Sequence, residues 1–391
     1  MSAKIEFFPV DNGDMTLITL ESGRRILIDV RVCEDLEEGE KSVIEMLRDR
    51  LDLDRDEHNR LYVDVFLLTH PDQDHTLGLS KYFHLGPIST WKEDEDKIII
   101  KEMWSSPIIF RRKVKTSITL CDDAKQWSIE ARRRVQAFRD GHGAEDGNRI
   151  LVMGEDIADK TEGLDAIRIP AGEVFNRING DQDDSFTADL IGPSTIHDED
   201  IEDALAKNRS SVVCRFNIKS NSNDFFFLCG GDAEVLVWER LWHKYQATPT
   251  VLEYDLLQTP HHCSLHSLTV DSWTEKRNAI VINEDARKAL SQARHGATIV
   301  ASCKPIENDD NDPPSFRASQ EYQATANSVD GDFINTMTHT PGKREVLIIP
   351  IGSDGSGSGS SSTNRPLGPT TTRLDPPSRE FEKTNDGNRY A

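Results

Sequence analysis

The segment Val63-Asp-Val-Phe-Leu-Leu-Thr69 constrains this chain more than any other. It is an almost unbroken apolar run, and it stops abruptly at His70-Pro-Asp72-Gln-Asp74-His75. A strand with one wet face would alternate; a continuous run reads as a strand covered on both faces. A sheet covered on both faces needs another layer on each side. The sequence therefore calls for a layered structure in which one innermost strand ends in four ionisable side chains. The carboxyl ends of such strands are where layered folds place their chemistry.

Two other apolar stretches end the same way. Asp224-Phe-Phe-Phe-Leu-Cys229 runs into Gly230-Gly-Asp232, and the stretch from Leu252 to Leu257 leads to Pro260-His261-His262. Strand ends gathered on one edge of a sheet converge in space. Asp72 and Asp74 brought together repel, and each costs free energy when desolvated; a divalent cation offsets both effects. Carboxylates and imidazoles at this density form a metal-ligand pattern. The spacing lets His70 and Asp72 project one way and Asp74 and His75 another, as two neighbouring cations would require. A merely acidic loop with two surface histidines would not be matched by two further strand-end clusters.

The rest of the chain supports this frame. Lys4 to Val10, Met15 to Leu20 and Arg25 to Val30 read as three strands joined by the turns Asp11-Asn-Gly-Asp14 and Glu21-Ser-Gly-Arg24, an antiparallel meander. Helical patterns cover about 41–51, 123–140, 233–245 and 287–294, and further strands cover Ser211 to Asn217, Ala297 to Ser302 and Arg344 to Pro350. The stretch from Lys81 to about Ile201 is hard to read; it holds the acidic insertion Glu93-Asp-Glu-Asp96 and a Gly/Asp-rich region near Gly180. From Gly352 the composition turns to Gly/Ser and then Pro/Thr/Arg, which predicts a disordered tail over 353–391 behind a domain over 1–352.

No stretch reaches the ~18 apolar residues that span a bilayer, and the N-terminus lacks a signal-peptide pattern, so the expected compartment is the cytoplasm. The six cysteines form no Cys-x-x-Cys pair and are expected as reduced thiols. The formal charge of −22 argues against a broad surface that tracks phosphates. Cations bound in a cleft can still reverse the sign locally. Two basic runs, Arg111-Arg-Lys-Val-Lys115 and Arg132-Arg-Arg134, are expected as solvated faces.

These motifs resemble the metallo-β-lactamase fold and, within it, the ComEC-like hydrolases. The fold's His-x-His-x-Asp-His reads here His70-Pro-Asp72-Gln-Asp74-His75, with Asp72 in place of the second histidine. Asn208-Arg-Ser-Ser-Val-Val resembles the branch's Asn-x-x-Ser strand, Gly230-Gly-Asp232-Ala-Glu its Gly-Asp-Ala-Glu, and Pro260-His261-His262-Cys263-Ser264 its His-His-Gly-Ser, with Cys263 where glycine is usual. The matches are collinear from about residue 4 to 351.

The resemblance implies an α+β fold, a four-layer αββα sandwich with the metals at one sheet edge. It implies His70, Asp72, Asp74 and His75 as ligands and Asp232 as a bridge between two metals. One of His261 and His262 completes a site; His261 is nearer the strand end and is taken as the ligand, with His262 facing substrate or supporting the shell. Ser264, Ser267, His266 and Asn208 are candidates for orienting substrate, each with a capping or turn role as the alternative. Asp14 and Asp29 read as turn and strand-end residues that support the ligands. The fold often supplies another histidine before the bridging aspartate; His84, His142 and His197 are the candidates, and none follows an apolar strand, so each is expected as a surface histidine rather than a ligand.

The expected cofactor is one or two divalent ions, zinc first, with manganese or iron raised by the oxygen of Asp72. Such ions lower the pKa of water from about 15.7 towards ~7. Asp74 and Asp232 are then the catalytic carboxylates. The expected activity is hydrolysis of a phosphodiester or phosphate ester, nuclease action included, on a small-molecule or nucleic-acid substrate. The alternatives are a small-molecule ester or lactone hydrolase, and an effector or regulatory subunit controlled by a protein that docks on the acidic insertions near Glu93 and His197 or on the tail.

Overall fold

The apolar stretches at the start of the chain pair as their short turns require. In the computed structural model β1 (Lys4–Phe7), β2 (Thr16–Thr19) and β3 (Arg25–Ile28) form the expected antiparallel meander, with Ile5 opposite Ile18 and Leu17 opposite Leu27. The structure describes residues 2–33, 39–110, 120–195, 207–221 and 223–352. The basic run Arg111 to Lys115, His197 and the stretch 353–391 lie outside the described residues.

β3 hands on to β4 (Tyr62–Leu68), the apolar run, which is buried along its whole length and lies parallel to β3. β5 (Ile99–Ser105), β6 (Arg149–Met153) and β7 (Arg168–Ile169) continue this sheet in parallel. After β8 (Val174–Phe175) and the small hairpin of β9 (Arg177–Ile178) and β10 (Asp181–Gln182) comes a second sheet. It is built from β11 (Phe186–Gly192), β12 (Val213–Ser220), β13 (Asn223–Cys229), β14 (Tyr254–Gln258), β15 (Ala293–Ala301) and β16 (Asp332–Asn335). β17 (Leu347–Pro350) returns to pair with β1. The sheet orders are β17-β1-β2-β3-β4-β5-β6-β7 and β16-β15-β14-β13-β12-β11-β8.

The period of two in each strand decides what lies between the layers. Val65 and Leu67 of β4 face the second sheet, where they meet a core holding Phe7, Ile26, Trp104, Phe216, Phe227 and Leu256. Phe66 and Leu68 face the other way, onto α1 (Val43–Leu51) and α4 (Asp122–Arg139), through Leu47, Trp127 and Ala131. The outer face of the second sheet, with Val213, Leu228 and Ile299, is covered by α5 (Val235–Tyr245), α7 (Glu284–Leu290) and α8 (Phe316–Ser328). The result is a four-layer αββα sandwich, the architecture the resemblance implies. Short helices α2 (Gln73–Thr76), α3 (Leu79–Tyr82) and α6 (Trp273–Lys276) sit in the connections.

Several expectations shift. The helix placed at 287–294 ends at Leu290, and β15 begins at Ala293 rather than Ala297. The strand placed at Ser211–Asn217 runs from Val213 to Ser220. The Arg132-Arg-Arg134 run is not a solvated face: Arg134 is buried, paired with Glu130 and donating to the carbonyls of Ile100 and Arg149. Asp96 of the acidic insertion is tied to Arg48. Six free thiols agree with the reduced-cysteine reading. Among the described residues no helix is long and apolar enough to cross a membrane.

Candidate metal centre

The carboxyl ends of β4, β13 and β14 bring their polar clusters to one edge, as parallel pairing of β13 with β14 and burial of both sheets demand. Asp232, buried after the Gly230-Gly231 turn, stands at the centre. Its Oδ1 is 3.0 Å from His75 Nε2 and 3.4 Å from His262 Nε2. Its Oδ2 is 3.5 Å from His70 Nε2 and 3.6 Å from His261 Nε2. Asp74 Oδ2 lies 3.4 Å from His262 Nε2, and Asp72 Oδ2 lies 3.8 Å from His70 Nε2. The cluster thus contains His70, Asp72, Asp74, His75, Asp232 and both histidines of the 261–262 pair. The expectation had set His262 to one side of the ligands; it is fully buried and closer to Asp232 than His261 is.

A second set of carboxylates faces the far side of the rings. Asp29, at the end of β3 and fully buried, lies 2.7 Å from His75 Nδ1 and accepts from the Thr69 amide at 2.8 Å and the Thr69 hydroxyl at 2.5 Å. Asp14 Oδ1 lies 3.3 Å from His262 Nδ1. Asp14, His75, Asp232 and His262 are all buried, with candidate donor atoms within 4.8 Å of one another. Sequence reasoning gave Asp14 only a supporting turn role. Its signal was the Asp-Asn-Gly-Asp turn between two apolar strands, which aims a carboxylate back into the molecule.

The hydrogen bond of Thr69 assigns the tautomer of His70. The single proton of Thr69 Oγ1 goes to Asp29, so towards His70 Nδ1, 3.2 Å away, the hydroxyl can only accept. His70 Nδ1 therefore carries a proton and Nε2 a lone pair. His70 Nε2 and both ring nitrogens of His262 are buried with no hydrogen-bond partner. An imidazole that gives its far N–H to a carboxylate or hydroxyl and presents the other nitrogen to an acidic cluster is arranged as a metal ligand. Imidazole nitrogens, carboxylate oxygens and no thiol make a donor set that fits a divalent cation.

The charges respond to this crowding. Burial alone would push the Asp232 carboxyl up, yet His75, His262, His261 and His70 hold it well below the usual carboxylate range. Burial likewise opposes charge on His75 and His262, but Asp232 and Asp29 hold His75 well above its ordinary value, and Asp232 and Asp14 push His262 up to about 10. His261, which burial pushes down, is the neutral member of the pair.

The other candidates fall elsewhere. Ser264 caps the next turn through the His266 amide and donates to Asp312, and Ser267 donates to the Pro260 carbonyl. Both make the capping and turn bonds that were the alternative for them. Asn208 donates to Glu234, and the His266 ring stacks near His261, centroids 6.4 Å apart. His84 is buried against the Pro87 carbonyl, not on the surface, and His142 pairs with Glu145 in the open. Among the described residues, no histidine from the segment between the first cluster and Asp232 is part of the cluster.

No family model and no curated protein matches this sequence. Among solved structures the chain is similar to unliganded yeast PDE1, at 12% identity over 85% of this chain and 97% of that one, with a TM-score of 0.37. It is also similar to the metallo-β-lactamase GOB-18 from Elizabethkingia meningoseptica, at 12% identity over 83% and 89% of the two chains, with a TM-score of 0.26. A third neighbour is the long form RNase Z from yeast, at 10% identity and a TM-score of 0.34; the similarity covers 81% of this chain but 40% of that one.

Proposed function

We propose that residues 1–352 form a metal-dependent hydrolase of the ComEC-like type, acting on a phosphodiester or phosphate ester, nuclease action included. The observation that carries the reading is a pair of buried nitrogens without a hydrogen-bond partner, His70 Nε2 and His262 Nε2, facing opposite oxygens of one buried carboxylate. His70, Asp72, Asp74, His75 and Asp232, with the 261–262 pair, would hold the cations. Zinc suits the imidazoles, and the aspartates admit manganese or iron. Divalent cations in such a set supply hydroxide at neutral pH and polarise a phosphoryl oxygen.

The chain's own groups do the rest. Asp29 keeps His75 in one orientation through its Nδ1, and Asp14 places its charge 3.3 Å from His262 Nδ1. Asp232 fixes the spacing of the whole cluster. Asp74, with about a third of its side chain exposed, is the carboxylate at the mouth. Burial opposes its charge, but His262 and His75 keep it ionised, so it stays a negative group towards a cation.

The test is elemental analysis of the purified chain, followed by cleavage of bis-p-nitrophenyl phosphate and of DNA with and without chelator. A neutral ester and a lactone belong in the same screen. Bound divalent metal and phosphodiester turnover, abolished by Asp232→Ala, are expected. Full activity in Asp232→Ala or Asp74→Ala would refute the mechanism, and turnover of the neutral substrates alone would replace the substrate class.

A further inference from the structure

Arg31 stands three residues beyond β3, at the edge where the acidic cluster gathers. The amides of Val30 and Val32 donate to the carbonyls of His75 and Leu77, and both valine side chains enter the helix-side core. Alternation sends Arg31 to the other side, where it crosses the Asp11-Asn-Gly-Asp14 turn. A Cβ on Gly13 would stand 2.2 Å from Arg31 Cδ, 3.1 Å from its Nη1 and 2.8 Å from the Asp74 carbonyl oxygen. Gly13 does not have left-handed backbone. What calls for glycine there is the close approach of the arginine and of the Asp74 backbone, not the shape of the turn. The guanidinium is thus set beside Asp74 and against the turn that carries Asp14.

This cation has no partner. Arg31 Nε is buried without a hydrogen bond, and among the described residues the guanidinium makes neither a hydrogen bond nor an ion pair. The other described arginines of which that holds, Arg139, Arg177 and Arg240, are exposed; Arg31 is half-buried. The chain has 68 acidic residues against 46 lysines and arginines, so a carboxylate partner is easily found on this surface. Arg134 shows the usual outcome, a buried guanidinium paired with its own carboxylate, Glu130. A guanidinium is always charged and can only donate. Held half-buried with an idle donor, it is placed for an acceptor that comes from outside the chain.

We propose that Arg31 is the anion receptor of this site: its guanidinium binds the phosphate of the substrate beside the cations, and so selects an anionic diester over a neutral ester. The inference rests on the metal-dependent hydrolase reading above and deepens it by naming the group that recognises the substrate's charge. The planar fork of a guanidinium matches two oxygens of a phosphate. Asp74 Oδ2 is engaged with His262 and Asp72 Oδ2 faces His70, so the carboxylates of the cluster are turned to the imidazoles and leave the guanidinium to the incoming anion. A chain with a formal charge of −22 repels phosphates over most of its surface, and a fixed cation at the site offsets that repulsion where it counts.

The test uses the full chain loaded with Zn(II) and freed of excess metal. Calorimetric titration with inorganic phosphate reads binding, and steady-state kinetics on bis-p-nitrophenyl phosphate and on DNA separates KM from kcat. Arg31→Gln, at a half-buried position, keeps the thermal unfolding midpoint and the metal content of wild type. It weakens phosphate binding at least tenfold and raises KM at least tenfold, with a smaller change in kcat. Arg31→Lys, which keeps the charge and loses the fork, recovers part of both. A rise in KM on DNA assigns the diester to a nucleic acid, and a rise on bis-p-nitrophenyl phosphate alone assigns it to a small ester; either supports the role of Arg31. Unchanged phosphate affinity and KM in Arg31→Gln would overturn the proposal. So would tighter binding of acetate than of phosphate by wild type, or loss of metal in Arg31→Gln, which would make the residue a support of the centre. A wild type that takes up no metal would instead overturn the metal-dependent reading itself.

Discussion

Replacing Asp29 by asparagine changes one atom that no substrate touches, and it should still weaken metal binding sharply. The Thr69 amide donates to Asp29 Oδ1 at 2.8 Å. That bond decides which way an asparagine lies, because its NH2 cannot face another donor. The carbonyl must take the Oδ1 place and the NH2 the Oδ2 place. Thr69 Oγ1 can rotate and accept from it. His75 Nδ1, 2.7 Å from that atom, cannot give it a proton and must accept one. The proton of a neutral His75 then moves to Nε2, the nitrogen 3.0 Å from Asp232 Oδ1 and aimed into the cluster. The ligand lone pair is lost while shape and packing are kept. Loss of a carboxylate behind a ligand histidine typically costs 10–100-fold in affinity, about 1.4–2.8 kcal/mol. Competition with a chromophoric chelator measures this directly, and thermal unfolding of the metal-free protein controls for folding. Affinity within twofold of wild type, in a folded Asp29→Asn protein, would refute the argument that Asp29 sets the tautomer.

Two further predictions concern the frame around the site. Glu130→Ala leaves Arg134, 1% exposed, without its counter-charge; the carbonyls of Ile100 and Arg149 still accept from it, so the loss should fall near the lower end of the ~3–5 kcal/mol typical of a broken buried pair, read from urea unfolding. Burial opposes charge on Glu130, but Arg133 and Arg134 hold its pKa below the ordinary 4.5, so the stability it contributes is present above pH 4.5 and lost as pH falls through the depressed folded value; Glu130→Gln should flatten that acid limb of the stability curve. Gly231→Ala places a methyl 2.7 Å from Thr69 Oγ1 at a φ of +48°, which should cost about 1–3 kcal/mol and, by displacing Thr69 from Asp29, lower metal affinity too; a stable Gly231→Ala protein with wild-type metal affinity would show that Thr69 does not position the ring.

The sandwich was legible where the hydrophobic pattern was regular. β4 reads as doubly covered because Val65 and Leu67 meet the second sheet while Phe66 and Leu68 meet the helices. β5 escaped notice because charge interrupts it, and β6 because its apolar run, Ile150 to Met153, is only four residues long. Glu102 lies inside β5, buried, accepting from the Trp104 ring and the Asn179 amide, partners that only the tertiary fold supplies. The basic run on α4 misled for the same reason: Arg134 looks solvated in sequence and is buried because Glu130, one turn earlier, goes in with it. Short strands such as Arg168–Ile169 and Val174–Phe175 hold too few residues for any period to appear.

At the site, the sequence carried the residue types but not the direction each ring faces. Strand-end clustering brought His70, Asp72, Asp74, His75, Asp232 and the 261–262 pair together, since parallel strands put like ends at one edge. Whether a carboxylate is a ligand or a support depends on which imidazole nitrogen it meets. Asp232 meets the Nε2 atoms of four rings; Asp29 and Asp14 meet Nδ1 atoms. The two roles differ in chemistry. On the Nε2 side the negative charge is what counts, because a cation must be held. On the Nδ1 side what counts is an atom able to accept and unable to donate, because that alone keeps the opposite nitrogen bare. An Asp→Asn change therefore acts by loss of charge at Asp232 and by reversal of a hydrogen bond at Asp29. Nearness to the strand end does not separate the two histidines, on the same ground: the left-handed turn at His261 and His262 cancels the alternation that an extended chain would have imposed, and both rings reach the carboxylate.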